Sequence, residues 1–156
     1  MRIFFIILLL LLPLFAATQD ILTKDKLEKI ADDMKYKNAY HFVVLKKNKK
    51  AIQELHEYLE IYTSGIHRHE AFLALANIHF SQFEYYKAIH MYKRLYEEFS
   101  SQDEGVHAFY YIGICYKKMG YNLKAVQVFK DIIKNHPSSH YAYKAKLQLD
   151  VIGILN

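Results

Sequence analysis

Residues 107–139 read HAFYYIGICYKKMGYNLKAVQVFKDIIKNHPSS, and this stretch decides the fold. Phe109, Ile112, Gly113 and Tyr116 stand at i, i+3, i+4 and i+7, one face of a helix with a 3.6-residue period. The pattern breaks at Met119-Gly120-Tyr121, where Gly120 can take a positive φ after a helix and Asn122 is expected to cap the next one. Ala125, Phe129, Ile132 and Ile133 then resume an apolar stripe. Pro137 ends it, and Ser138 or Ser139 can cap a further helix. The stretch predicts two amphipathic helices joined by a tight turn.

Shifting the chain against itself by 37 residues brings Ala51, Ala88 and Ala125 into register. Leu55, Tyr92 and Phe129 align as well, as do Tyr58, Leu95 and Ile132. Upstream, Ala39, Ala76 and Gly113 coincide, followed by Phe42, His79 and Tyr116. Small residues recur where small ones stood and bulky ones where bulky ones stood, the signature of stacked hairpins. Ala76 or Gly113 on one helix and Ala88 or Ala125 on the next leave the two backbones free to cross closely. Ser101-Gln102-Asp103-Glu104 reads as a capping box opening the third unit. Low Gly and Pro counts, 5 and 2, with 53% hydrophobic residues, also favour a helical chain with short turns. The expected fold is all-α: an α-solenoid of three helix pairs with a 37-residue period and a C-terminal capping helix. Its units are about 32–68, 69–105 and 106–138, with the cap at 139–152 inside a repeat domain of 32–156, and residues 19–31 form a helical lead-in.

At these residues the chain resembles the tetratricopeptide repeat (TPR) family. Phe109, Ile112, Gly113, Tyr116, Ala125, Phe129 and Pro137 follow that family's order, with Ile132 in place of its last alanine. The middle unit departs from it: Phe83 stands where a turn glycine is usual and Ser100 where the proline is. The 37-residue spacing and the Asn135-His136-Pro137-Ser138-Ser139 ending resemble repeats of bacterial envelope proteins, such as the YbgF coordinator of Tol–Pal and the BamD lipoprotein of outer-membrane assembly. The lipid-anchor cysteine of the second and the coiled-coil segment of the first are not found.

Arg2, the apolar run Ile3–Leu12, Pro13 and Leu14-Phe15-Ala16-Ala17-Thr18 read as a signal peptide over residues 1–18, with an N-terminal membrane anchor as the competing reading. Together with the family resemblance this predicts an exported, periplasmic protein.

No catalytic constellation occurs. The nine histidines include His67-x-His69 and the pair His136/His140, but Pro137 interrupts the second and no cysteine joins either, so no metal and no cofactor is expected. Cys115, the only cysteine, falls at a packed helix position and reads as an inert thiol. A net charge of +5 suits solubility and gives no nucleic-acid signature. Lys46-Lys47-Asn48-Lys49-Lys50 reads as a solvated turn, with an acidic partner or peripheral membrane contact as the alternative.

The resemblance also implies a concave groove lined by the first helices of successive units. It maps onto Tyr36 and Tyr40, then Glu70, Leu73 and Asn77, then His107, Tyr110, Ile114 and Lys117. Tyr36, Ala74 and Tyr111 occupy positions where a carboxylate clamp needs Lys, Asn or Arg, so a chaperone-tail adaptor is not expected. The expected function is a non-enzymatic scaffold that binds protein or peptide segments of the cell envelope. The alternatives are a BamD-like outer-membrane assembly component and a homo-oligomer formed through Val151-Ile152-Gly153-Ile154-Leu155.

Overall fold

The computed structural model describes the backbone of residues 2–154 and the side chains of residues 23–153. Its helices are α1 (Arg2–Val44), α2 (Asn48–Ile61), α3 (Arg68–Ser81), α4 (Tyr85–Phe99), α5 (Asp103–Lys118), α6 (Asn122–Asn135) and α7 (His140–Ile154). Each helix packs on the next in the chain. In addition α1 touches α3, α3 touches α5 and α5 touches α7, whereas α2, α4 and α6 do not meet one another. First helices are thus crowded together and second helices are splayed apart. Such an array curves toward its first helices, and the architecture is an all-α helical repeat.

The 37-residue period is written in the backbone. First helices end at Val44, Ser81 and Lys118, and second helices begin at Asn48, Tyr85 and Asn122. Between them Lys46, Phe83 and Gly120 all take a left-handed conformation, with φ of 54°, 61° and 79°. The residue after each donates its N–H five residues back: Lys47 to the Phe42 carbonyl, Glu84 to His79 and Tyr121 to Tyr116, at 2.9–3.0 Å. This is the Schellman closure of a helix end, and it satisfies carbonyls the helix would otherwise leave open. Gly120 supplies the left-handed residue without steric cost, while Lys46 and Phe83 do so under strain.

The small residues at the helix crossings are buried. Ala39, Ala51, Ala76, Ala88 and Ala125 have no exposed surface, and a Cβ built on Gly113 would stand 2.6 Å from the Phe129 ring. Phe129, itself fully buried, therefore occupies the space that the missing side chain leaves. Large residues fill the rest of the core, with Tyr58, Tyr92, Leu55, Leu75, Leu95 and Ile132 completely covered.

Two capping expectations are corrected. The residue before α6 is Tyr121, not Asn122, because the tight turn makes one residue serve both as the end of the closure and as the next cap. The Ser101–Glu104 capping box does not form either: Gln102 precedes α5 in an extended conformation, with no side-chain cap. Asp103 and Glu104 lie in the first turn instead, where negative charge favours the helix dipole. Pro137 comes after the end of α6, and the Ser139 hydroxyl accepts the Tyr141 N–H at 3.2 Å, as the ending predicts.

On α7, Lys146 and Asp150 stand one period after Phe109 and Gly113, and both are exposed. The same helix also exposes the apolar residues Tyr143, Leu147 and Val151. Along the expected tail contact, Val151 is exposed and Ile152 is buried, while the side chain of Ile154 and all of Leu155 lie outside the described residues. The signal-peptide segment 1–18 likewise lies outside the described side chains. Among the described residues no helix is long and apolar enough to cross a membrane.

Candidate functional site

Between α1 and α3 the inner face opens into a groove of about 570 Å³. Tyr36, Tyr40 and Val43 form one wall, and Glu70, Leu73, Ala74, Asn77 and Ile78 form the other. Lys46, Asn48 and Ser81 close the end near the turns. α1 is fastened to the array at the end of the groove away from these turns.

That fastening is polar. Asp32 is buried, with 5% of its surface exposed. Its carboxylate accepts the Tyr58 hydroxyl at 2.5 Å and the Ile66 N–H at 2.7 Å. The Tyr58 hydroxyl in turn accepts the His67 N–H at 3.0 Å. Burial, reinforced by the Asp32 carboxylate, pushes the Tyr58 phenol well above its ordinary range, so the hydroxyl stays protonated as a donor. One turn along α1, Tyr36 stacks on His67 at 4.4 Å and on Tyr40 at 5.7 Å. Its phenol is pushed up to about 12, chiefly by burial and then by the Glu70 charge. Tyr40 keeps nearly half of its surface exposed and forms the accessible part of this aromatic wall.

The polar groups in the groove are oriented. The Asn77 carbonyl oxygen accepts the Tyr92 hydroxyl at 2.8 Å, which fixes the amide and leaves its NH2 free to donate. Glu70 Oε2 and His67 Nδ1 are buried; His69 Nδ1 stands 3.1 Å from that Glu70 oxygen, and His67 Nδ1 lies 3.7 Å from the other. An acceptor at one end, an amide donor in the middle and the Lys46 ammonium at the other end match the alternating donors and acceptors of an extended chain.

The nine expected groove residues therefore fall into two sets. Tyr36, Tyr40, Glu70, Leu73 and Asn77 line one continuous groove. His107, Tyr110, Ile114 and Lys117 lie further along the inner face, against α7. There His107 packs on Tyr141 at 5.3 Å, Tyr110 is buried against Phe129 and Tyr141, and the Lys117 ammonium donates to Gln148 at 2.7 Å. Ile114 is half-buried beside them. Burial pulls the His107 imidazole below its ordinary value, and the nearby Lys144 ammonium adds to this. Sequence reasoning missed Val43, Lys46, Asn48, Ile78 and Ser81 in the groove. Lys46 was recoverable, since it stands one period before Phe83 and two before Gly120.

Arg68 was also missed. It is nearly buried, and its guanidinium grips Glu98 through two hydrogen bonds of 2.9 and 2.7 Å. It also donates to the Leu59 and Tyr62 carbonyls at 3.0 Å. One side chain thus ties α2, α3 and α4 together, and it does so one loop away from the groove. Cys115 is buried, and burial raises its thiol to about 12, so it is not a nucleophile.

A family model described as intraflagellar transport protein 56 matches residues 14–150, most of the chain. No curated protein matches it. The family match overturns the resemblance to tetratricopeptide proteins of the bacterial envelope, YbgF and BamD. The expected periplasmic location and export are withdrawn with it, and so are the envelope-assembly function, the envelope partners and the homo-oligomer or membrane-contact alternatives drawn from that setting. The match begins at residue 14, inside the segment read as a signal peptide. A general helical pattern misled here because hairpin stacking is set by packing, and packing is blind to compartment. The chain is not an enzyme, in keeping with a family of transport scaffolds. With the match running from the first helix through nearly all of the last, the chain belongs to the intraflagellar transport protein 56 family.

Proposed function

We propose that this chain is a docking scaffold within the intraflagellar transport machinery. Its α1–α3 groove holds an extended segment of another intraflagellar transport protein. The observation that carries the reading is the groove itself: aromatic and aliphatic walls with the Asn77 amide, Glu70 and Lys46 set along its length. In that arrangement Tyr40 and Leu73 supply apolar contact, Asn77 donates to a backbone carbonyl, and the exposed part of the Glu70 carboxylate accepts an N–H. His107, Tyr110 and Lys117 pack against α7 and, with Ile114, do not touch the segment.

The hairpins follow the tetratricopeptide scheme, in units of about 32–68, 69–105 and 106–138 with a cap at 139–152. The shared turn closure at Lys46, Phe83 and Gly120 supports that reading. The test is pairwise binding of the purified chain to purified intraflagellar transport proteins, alongside a Tyr40→Ala/Leu73→Glu variant whose helical circular dichroism matches the native chain. At least one protein should bind, with affinity about 10-fold or more weaker for the variant, equivalent to about 1.4 kcal/mol. Undiminished binding by the variant, or no binding to any of them, refutes the proposal.

A further inference from the structure

The edge of the array formed by the three intra-hairpin turns is unlike the rest of the surface. Val44, Leu45, Phe83, Tyr86, Tyr121 and Leu123 all lie there, and all are exposed, Phe83 at 77% and Leu123 at 89%. The turns share one geometry at a 37-residue interval, so these side chains form a strip that runs along the array. Tyr86 and Tyr121 join neighbouring turns through a 2.9 Å hydrogen bond between their hydroxyls, making a fixed aromatic platform.

The strip is also basic. Lys50, Lys87 and Lys124 stand at the same position of the three second helices, α2, α4 and α6; Lys50 and Lys87 are paired with Glu54 and Glu84, each at 2.8 Å, whereas Lys124 forms no ion pair among the described residues. Lys124 lies over the Tyr116 and Tyr121 rings at 5.6 and 5.2 Å. Among the described residues Lys46, Lys47, Lys49 and Lys118 form no ion pair. Phe83 adds an independent observation. A left-handed residue in a turn costs any side chain about 1–2 kcal/mol relative to glycine, and Gly120 fills the equivalent place without that cost. The ring is held there in strain with most of its surface open to solvent, meeting only the edge of the Tyr85 ring at 6.3 Å among the described residues.

We propose that this edge is a second docking surface, separate from the groove, and that its occupant is an acidic polypeptide segment carrying apolar side chains. Carboxylates of that segment meet Lys124 and the unpaired lysines Lys46, Lys47, Lys49 and Lys118, and its apolar groups meet Phe83, Leu123 and the tyrosine platform. An anionic bilayer fits less well, because the unpaired ammonium groups flank the first and third turns of a curved array and the Glu84–Lys87 pair lies between them, which suits a flexible chain better than a flat surface.

The experiment titrates the full chain into a fluorescent 20-residue peptide of repeating Glu-Glu-Leu-Phe. The controls are the same peptide with Gln for Glu and phosphatidylserine-containing vesicles. Expected are binding of the acidic peptide that weakens as salt is raised, loss of about 10-fold or more in a Phe83→Gly/Leu123→Ser variant, and no loss in Leu73→Glu, which alters only the groove. A Lys124→Glu variant, which leaves the apolar strip intact, should weaken the acidic peptide and not the Gln peptide. Equal binding of both peptides, equal binding by the Phe83→Gly/Leu123→Ser variant, or binding of vesicles without binding of the acidic peptide overturns the proposal.

Discussion

Tyr58→Phe removes one oxygen atom from a fully buried side chain, and two hydrogen bonds with it. One is the donation to the buried Asp32 carboxylate, the other the acceptance of the His67 N–H. Hydrogen bonds to charged groups contribute about 1.5–3 kcal/mol and neutral ones about 0.5–1.5 kcal/mol. The substitution should therefore cost about 2–4 kcal/mol, since no shape is lost and both former partners stay in place. Tyr92→Phe is the internal control: an equally buried tyrosine losing the same atom, but with a single neutral bond to Asn77. Its cost should be about 1 kcal/mol. Urea unfolding followed by circular dichroism measures both, with an unchanged slope showing that the same surface is exposed on unfolding. If the two variants lose equal stability, or Tyr92→Phe loses more, the Asp32 linkage does not fasten α1.

Three further outcomes rest on single contacts. Phe83→Gly should raise stability by about 0.5–1 kcal/mol, as relief of the left-handed strain exceeds glycine's greater unfolded-state entropy; a lowered thermal midpoint would deny that the residue is strained. Arg68→Lys should be costly despite conserving charge, about 2–4 kcal/mol, because an ammonium cannot serve Glu98 bidentately and two carbonyls at once; urea midpoints of the variant and the native chain give the difference. Stability should fall as pH is lowered from about 7 to 5. Burial depresses the folded-state values of His56 and His107 below the ordinary 6.5, so the unfolded chain takes up protons first. The loss begins near 6.5 and is complete once pH is below the folded values, and a His56→Gln/His107→Gln variant should flatten the slope over that window.

Much of the fold was legible because packing repeats. Alanine at 51, 88 and 125 and the small residues at 39, 76 and 113 declare where backbones must cross, and side-chain size alone carries that message. Gly120 announced its turn openly. Lys46 and Phe83 concealed theirs, since a left-handed residue that is not glycine has no compositional mark, and only the 37-residue register reveals it. The cap of α6 was misplaced by one residue because a Schellman turn feeding straight into another helix merges two roles in one position.

The candidate site was legible in half. Tyr36, Tyr40, Glu70, Leu73 and Asn77 came from one helix face each, and period arguments handle single faces well. Whether a face is open depends on the neighbouring helix, and the side chains of α7 that cover Tyr110 and Lys117 come from a segment 31 residues further on. Arg68 escaped for a similar reason: its partners lie at the ends of two other helices, and no local pattern joins them. Compartment was misread because an apolar N-terminal run and stacked hairpins are both compatible with more than one cellular setting.

Photo-crosslinking from the groove floor puts the docking role to its sharpest trial. A photoreactive amino acid would replace Leu73, or the exposed Lys130 on α6 for comparison, with the chain assembled among intraflagellar transport proteins. A segment seated in the groove predicts that position 73 crosslinks to a single stretch of one such protein and that position 130 does not. No adduct from position 73, or equal adducts from both positions, would contradict it.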